Sequence, residues 1–433
     1  MAGFLGTVRG RKRSAAVLRS LAEVEVPEVM DHASAFPIAI RKATGARVTD
    51  ADGNRYLDLT GFFGVALAGH RNPAVATAIR TQAGRLLHGM GDVHPAEVKA
   101  RLLRLLAARM PAPGYRGLLG LSGADAVEAA LKFAAAATGR GAVLAFEGAY
   151  HGLSGAALEV THGRTFREPF RAALSGRGRF APWPARDGSD LDRCLSAARA
   201  LARDPANDGP AGAVIVEPIQ GRGGIRVPPP GFLAGLAGIA REAGAALVVD
   251  EVYTGCGRTG AFLASAAGIR GPDAICLGKA LGGGLPISAC MMAPGLASAV
   301  KGLPSEAPHT GTFLGHPLGA AAAIAVLGEI DRRGLLAAAV RVGDRIRERA
   351  DAWRRRFPSV ADVRGAGAMV GVELARPEVA GRTVEAALRA GVILLTEGPA
   401  GDVLAFTPPL TIADADLDRA LSAVETALAE AAT

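Results

Sequence analysis

The sequence predicts an α/β fold built around a mainly parallel sheet, and three short apolar runs are the basis of that prediction. Residues 213–216, 246–249 and 274–277 are apolar, rich in β-branched side chains and separated by helix-favouring segments. Such runs are typical of parallel strands that are buried on both faces. A chain of 433 residues is long for one core. We therefore predict a large α/β domain over residues 64–308 and a smaller α+β domain over residues 309–433.

A charged side chain follows each of these three runs. Glu217 follows the first run, Asp250 follows the second, and Lys279 follows the third after one glycine. The carboxyl ends of parallel strands meet at one edge of a sheet, where open α/β sheets bind ligands. The three side chains are therefore expected to converge in one crevice.

Lys279 has the setting of a nucleophile. It is one of six lysines in a chain that otherwise uses arginine, and it lies between an apolar run and a glycine-rich segment. Loss of hydration lowers the pKa of a lysine and makes its neutral amine available, as a Schiff-base nucleophile requires. Two structural alternatives are a Lys279 that extends to solvent and a Lys279 that forms an ion pair with Asp250. A further interpretation has Lys279 bound to pyridoxal phosphate and Asp250 paired with the protonated ring nitrogen.

Two more predicted strands end in residues suited to that cofactor. Residues 117–121 precede Ser122 and a helix-favouring segment, so Ser122 is a candidate N-cap whose small neighbours leave N–H groups open to an anion. An ordinary capped helix explains the same pattern. Residues 142–146 lead to Tyr150, which would stack on a flat ring at the same sheet edge. A hydrogen-bonded turn is the alternative for Tyr150.

Six segments resemble those of the class III pyridoxal-phosphate-dependent aminotransferases of fold type I. They are residues 122–128, 150–152, 216–221, 250–260, 278–286 and 312–313, in the family's order. The resemblance implies a large domain with helices on both faces of a mainly parallel sheet. It also implies that residues 1–63 form an arm and hairpin segment that packs with the small domain.

The resemblance also implies the role of each site residue. Lys279 would be the Schiff-base lysine, Asp250 the partner of the pyridine nitrogen, and Tyr150 and Val252 the residues on the two ring faces. Such enzymes are homodimers with shared sites, so Thr312 would reach the phosphate bound by the neighbouring subunit. The cofactor-binding residues that the resemblance implies are Ser122, Gly123, Ala124, Tyr150, His151, Glu217, Asp250, Val252, Tyr253, Lys279 and Thr312.

The chain departs from the family pattern at the substrate side. Glutamate-using members carry an acid after the Gln-Gly pair, and this acid holds an arginine near the C-terminus; this chain has Arg222 and Ala405 at those positions. Either glutamate is a poor donor or Arg222 binds the substrate carboxylate, and the alternative is an Arg222 that points to solvent. Near the cofactor's phenolic oxygen, Tyr253 replaces a common glutamine and still offers a hydroxyl. Ala124 removes one hydroxyl from the phosphate site.

We therefore predict an aminotransferase with a ping-pong mechanism. An amino-acid or amine donor would give its amino group to an aldehyde or ketone acceptor through the Lys279 imine. An aminomutase of the glutamate-1-semialdehyde type is the alternative, and a non-catalytic cofactor-binding protein is a more remote one. A nucleotide-binding P-loop is not predicted, because alanine follows Lys279 where that motif has Ser or Thr.

Composition limits the partners and the compartment. The net charge is +8, but the arginines are dispersed and no nucleic-acid module is recognisable, so no nucleic-acid partner is predicted. The histidines and the four cysteines show no metal-ligand spacing, so no metal is predicted. The sequence predicts a cytoplasmic protein without a membrane span. An organellar transit segment is the minor alternative for the basic first two dozen residues, which we interpret as a loose arm.

Turn and helix signals in the sequence predict the remaining organisation of the chain. Residues 47–57 read as a hairpin with its turn at Asp52-Gly53. A helix is predicted over residues 335–357 and a final helix from residue 413 onward. Residues 304–308 are the predicted junction between the domains.

Overall fold

A computed structural model describes residue 8 and residues 10–27, 29, 37–206, 209–302 and 307–432. The strands are β1 (Ile40–Thr44), β2 (Arg47–Asp50), β3 (Arg55–Asp58), β4 (Arg116–Gly120), β5 (Val143–Phe146), β6 (Gly178–Ala181), β7 (Ala213–Val216), β8 (Ala246–Asp250), β9 (Ala274–Leu277), β10 (Ser288–Met292), β11 (Val360–Ala366), β12 (Met369–Leu374), β13 (Val392–Ile393), β14 (Leu395–Glu397) and β15 (Val403–Phe406). The helices are α1 (Lys12–Val24), α2 (Gly61–Gly64), α3 (Pro73–Ala83), α4 (Glu97–Ala107), α5 (Gly123–Thr138), α6 (Gly155–Glu159), α7 (Arg164–Arg167), α8 (Leu191–Arg203), α9 (Phe232–Ala243), α10 (Pro294–Ala297), α11 (Pro317–Arg332), α12 (Leu335–Arg356), α13 (Pro377–Arg389) and α14 (Asp414–Ala432). Short 3-10 helices cover Glu168–Ala173, Ala264–Ala267 and Lys279–Gly282.

A seven-stranded sheet forms the centre of the molecule, in the order β4-β10-β9-β8-β7-β5-β6. The strands from β9 to β6 pair in parallel, whereas β10 runs antiparallel to both β4 and β9. Every residue of β5, β7, β8 and β9 is buried, because helices cover both faces. The predicted mainly parallel α/β sheet is thus confirmed.

The helices on the two faces belong to two apolar clusters. On one face α5 packs against β4, β9 and β10, through a run of alanines that allows close approach to the sheet. On the other face α8 and α9 pack together and against the sheet, with Phe232 buried between Phe146 and Trp183 in edge-on contacts. This packing fixes the carboxyl ends of β5, β7, β8 and β9, where the charged side chains follow.

Two smaller sheets flank the central one. The hairpin β2–β3 pairs Val48 with Tyr56, as the Asp52-Gly53 turn predicts, and β3 pairs in parallel with β13 from the C-terminal part of the chain. The second small sheet has the order β11-β12-β15-β14 and is antiparallel. Helices α12, α13 and α14 pack near these strands.

The N-terminal segment differs from the expected loose arm. Residues 12–24 form α1, and the carboxylate of Asp52 accepts hydrogen bonds from the backbone N–H groups of Arg13 and Ser14 at the first turn of this helix, 2.8 Å each. Side-chain anchoring of the first turn of a helix is not visible in local composition. Most of the predicted junction at 304–308 lies outside the described residues, and the division into residues 1–63, 64–308 and 309–433 stays a prediction.

Candidate active site

Lys279 lies in a tight turn directly after β9. Its φ is +41°, in the left-handed region that residues other than glycine rarely adopt. Its Nζ lies 3.4 Å from the centroid of the Tyr253 ring. Burial lowers the pKa of Lys279 to about 8, and nearby carboxylates, first among them Glu397, act in the opposite direction. A fraction of the amine is therefore unprotonated at neutral pH.

Asp250 is the last residue of β8, and its carboxylate is buried. Oδ1 accepts a hydrogen bond from the backbone N–H of Val252 at 3.0 Å, and Oδ2 lies 2.7 Å from Nδ1 of His151. The His151 side chain is fully buried, and its Nε2 has no hydrogen-bond partner among the described residues. His151 thus holds one carboxylate oxygen of Asp250 in a fixed orientation.

Glu217, directly after β7, joins two loops. Its Oε1 accepts a hydrogen bond from the backbone N–H of Tyr150, and its Oε2 accepts one from Gly221, each at 3.0 Å. Burial raises the pKa of Glu217 to about 7. The ring of Tyr150 packs edge-on against Phe166, with centroids 5.4 Å apart. Glu217 is therefore an anchor for the loop that carries Tyr150.

The N-terminus of α5 faces the same region. Ser122 is its N-cap, as predicted: Ser122 Oγ accepts from the backbone N–H of Asp125, and the Asp125 carboxylate accepts from that of Ser122, both at 3.1 Å. A Cβ on Gly123 would lie 2.9 Å from Cγ1 of Val252. The small residues Gly123 and Ala124 therefore leave helix N–H groups open beside Val252.

The hydroxyl of Tyr253 points to the residue that directly follows β15. It lies 3.3 Å from Oγ1 of Thr407, and burial raises the Tyr253 pKa to about 12, so the phenol stays protonated. Its ring is closely packed, since a Cβ on Gly64 or Gly221 would lie 2.6 or 2.3 Å from ring carbons. Tyr253 thus offers its ring face to Lys279, and a hydrogen bond from its hydroxyl to the cofactor stays a prediction.

Arg222 forms an ion pair with Glu397 that was not predicted from the sequence. Its Nη1 donates to Oε2 of Glu397 at 2.8 Å, and its guanidinium lies 6.0 Å from the Phe166 ring centroid. The Arg222 side chain is 41% exposed, whereas that of Glu397 is 2% exposed. Burial raises the pKa of Glu397, and Arg222 opposes that shift. No local sequence signal marks this pair, because Arg222 and Glu397 lie far apart along the chain.

Most of the predicted site residues come together around one cavity of about 300 Å³. Those that line it are Ser122, Gly123, Ala124, Tyr150, His151, Glu217, Arg222, Asp250, Val252, Tyr253 and Lys279, with Gly152 and Leu153 in addition. Two predicted residues lie elsewhere. Thr312 is exposed, and Ala405 is buried in β15 beside Tyr253.

The described part of the chain holds no group of three or more His, Cys, Asp or Glu side chains placed to bind a metal ion. Nor does any helix in the described ranges combine the length and apolar character that a bilayer crossing demands.

Proteins with this fold include enzymes that transfer amino groups. The solved ornithine aminotransferase of Toxoplasma gondii superposes with a TM-score of 0.85 at 27% identity, over 97% of this chain and 96% of that chain. The fold is thus that of an aminotransferase. A family model described as aminotransferase class-III matches residues 29–428, and the chain belongs to that family.

Curated relatives agree with the family assignment but differ in their named substrates. The acetylornithine aminotransferase of Methanopyrus kandleri is 36% identical over 92% of this chain and 96% of its own length. The 5-aminovalerate aminotransferase of Pseudomonas aeruginosa is 34% identical over 95% of this chain and 96% of its own length. The predicted aminotransferase function is confirmed, and the aminomutase and non-catalytic alternatives are not favoured.

Proposed function

We propose that this aminotransferase binds pyridoxal phosphate in the cavity between Lys279 and Asp250. Class III aminotransferases depend on that cofactor. The observation that carries the proposal for this chain is the convergence of a lysine whose pKa is lowered to about 8 and a buried, histidine-held carboxylate on one cavity. A structural ion pair alone would not require the open cavity between them.

The residues present fit the cofactor in charge and shape. The buried Asp250 carboxylate has a histidine partner but no arginine or lysine ion pair in the described ranges, so a cationic ring nitrogen would satisfy it. At the other end, the N-terminus of α5 supplies backbone N–H groups and a positive dipole end suited to a phosphate. Tyr150 and Val252 line the walls between these ends.

Each residue then has a defined task. Bound pyridoxal phosphate supplies an electron sink that stabilises the negative charge left when a proton leaves the donor carbon. Lys279 Nζ would hold the cofactor, and its free amine would act as general base and acid for the proton of the donor carbon. The Asp250 carboxylate, held by His151, would be the partner of the cationic ring nitrogen. Glu217 positions the loop that carries Tyr150 by accepting a hydrogen bond from the backbone N–H of Tyr150.

We also propose a homodimer with shared sites. The exposed position of Thr312, away from its own subunit's cavity, supports a role at the phosphate of a neighbouring subunit. A reducing, cytoplasmic location is part of the same proposal, and four free cysteines support it. The donor is an amine or amino acid, and the acceptor is an aldehyde or ketone.

Covalent trapping tests the proposal. The purified holoprotein is reduced with borohydride and digested, and the cofactor-bearing peptide is identified by mass spectrometry. We expect the adduct on Lys279, and no adduct in Lys279→Ala. An adduct on another lysine, or none in a pyridoxal phosphate-saturated protein, contradicts the proposal. A second arm follows the cofactor absorbance during addition of amines, and a failure of every amine to change it contradicts the transfer chemistry.

A further inference from the structure

The ion pair between Arg222 and Glu397 lies at the substrate side of the proposed site. Arg222 is on the loop after β7 and lines the cavity, and Glu397 ends β14. Burial lowers the pKa of Lys279, and among the charged groups that oppose this shift the Glu397 carboxylate has the largest effect. Burial raises the pKa of Tyr150, and both members of the pair also act on it: Arg222 lowers this pKa and Glu397 raises it.

We propose that Glu397 is a specificity-determining residue and that the site takes donor amines that carry a second cationic group, which replaces Arg222 at the Glu397 carboxylate. This inference rests on the proposed function, because it assigns the donor class of that same site.

Unequal burial of the two partners decides which of them a substrate displaces. The Arg222 side chain is 41% exposed and donates a hydrogen bond to Glu397 from Nη1, so it is able to move into water and regain hydration. Glu397 is 2% exposed and lies on a strand paired on one side with β15, so its charge stays in place. The charge that stays fixed behind Arg222, which lines the cavity, is therefore the negative charge of Glu397.

A cationic substrate group and a carboxylate have opposite consequences at this pair. An ammonium that takes the place of Arg222 leaves Glu397 paired, and every buried charge keeps a partner. A carboxylate that draws Arg222 away leaves Glu397 buried and unpaired, which is strongly unfavourable. A carboxylate that binds Arg222 without breaking the pair meets the like charge of Glu397 nearby. Repulsion of the wrong donor thus adds to attraction of the right one.

A matched series of five-carbon amines tests this inference on the holoenzyme. The probes are 1,5-diaminopentane, 1-aminopentane and 5-aminopentanoate, and the loss of cofactor absorbance in the donor half-reaction gives a rate constant and an apparent dissociation constant for each. We expect the ratio of the rate constant to the apparent dissociation constant to be at least tenfold higher for the diamine than for 5-aminopentanoate. Most of this difference should lie in the apparent dissociation constant.

Two variants and one control separate charge recognition from folding. In Glu397→Gln we expect the ratio of rate constant to apparent dissociation constant to fall at least tenfold more for the diamine than for 1-aminopentane. In Arg222→Gln, at an exposed position, we expect the diamine to keep or gain efficiency while 5-aminopentanoate weakens. Glu242→Gln makes the same chemical change in the exposed ion pairs of Glu242 with Arg199 and Arg203 on the outer helices. In this control the constants measured with all three probes should equal those of the wild type.

Three results overturn the inference: a wild-type preference for 5-aminopentanoate, an equal loss of all probes in Glu397→Gln, or a loss of the diamine in Arg222→Gln. Each of these three results requires that amines change the cofactor absorbance. If no amine does so, the proposed function itself fails, and the two failures are thereby distinguished.

Discussion

At the scale of single residues, the amine of Lys279 lies among groups with opposing effects on its charge. Burial favours the neutral amine, while Glu397, Glu217 and Asp250 favour the ammonium. The desolvation effect is larger, and the pKa falls to about 8. Part of the Lys279 population is thus neutral at neutral pH.

The pH dependence of Lys279 reactivity in the apoprotein follows from this balance. We expect acylation of Lys279 to rise through a midpoint near pH 8, and the midpoint to move lower in Glu397→Gln, because that variant removes the strongest charge that favours the ammonium. Peptide mass spectrometry after brief labelling at graded pH measures both midpoints. The same peptide in the denatured protein is the control, and coincidence of the folded and denatured midpoints would exclude a perturbed amine.

His151 is expected to determine how well Asp250 binds the cofactor. His151→Leu leaves one oxygen of a buried carboxylate without its 2.7 Å partner, which costs about 1.5–3 kcal/mol, or roughly tenfold to a hundredfold in cofactor affinity. His151→Gln keeps a hydrogen-bond donor and should retain more of the cofactor affinity than His151→Leu. Absorbance titration with pyridoxal phosphate measures the affinities, and equal values for the two variants would show that the hydrogen bond has no such role.

Some site residues were predictable from the sequence because local pattern alone places them. Asp250 and Lys279 follow apolar runs, and parallel strands bring such ends together. Glu397 was not predictable in this way. Its partner Arg222 is distant along the chain, and their meeting depends on how β14 and β15 lie beside the loop after β7.

At the scale of elements, the N-terminus of α5 is the part of the proposed site that depends most on a missing side chain. Gly123 is the first residue of the helix, and Val252 occupies the space that a Cβ would need. The backbone of α5 and the Val252 side chain therefore approach each other only because position 123 is glycine.

Gly123→Ala is expected to weaken cofactor binding, because its Cβ would force Val252 or the helix terminus to shift. Titration of the apoprotein with pyridoxal phosphate measures the loss, and Gly123→Ala combined with Val252→Ala should recover part of it. Gly238→Ala in α9 is the matched control, since its Cβ would meet no atom within 4 Å. There we expect unchanged binding and a gain of about 0.5–1 kcal/mol in stability. Full affinity in Gly123→Ala would contradict the assignment.

The predicted elements agree with the structure where hydrophobic pattern is strong. The runs at 213–216 and 274–277 are β7 and β9, residue for residue, and the predicted helix 335–357 is α12 within one residue. β10 was not predicted from the sequence, because a short apolar run does not indicate a strand that lies antiparallel to its neighbours.

At the scale of the whole molecule, the central sheet and its helices bring together all cavity-lining residues of one chain, but Thr312 is exposed away from them. A second copy of the chain is the partner that would bring a Thr312 to each cavity. In such an arrangement each site takes its lysine from one subunit and its threonine from the other.

Subunit mixing tests this arrangement. Lys279→Ala and Thr312→Val should each be defective alone. In a mixed dimer, one site combines both defects, whereas the other combines an intact Lys279 with an intact Thr312. Random mixing of equal amounts should therefore restore about one quarter of wild-type activity. Activity assays before and after subunit exchange, with light scattering for the mass, measure the effect. A monomer in light scattering, or no recovery after proven exchange, would contradict shared sites.

The pairing of β3 with β13 bears on how the chain completes its fold during synthesis. Translation delivers the hairpin β2–β3 first, whereas its parallel neighbour at residues 392–393 is synthesised much later. Until then the open side of β3 displays unpaired backbone groups, a template for association with other nascent chains. Ribosomes that stall before codon 392 would consequently release products in which this edge of β3 is still unpaired.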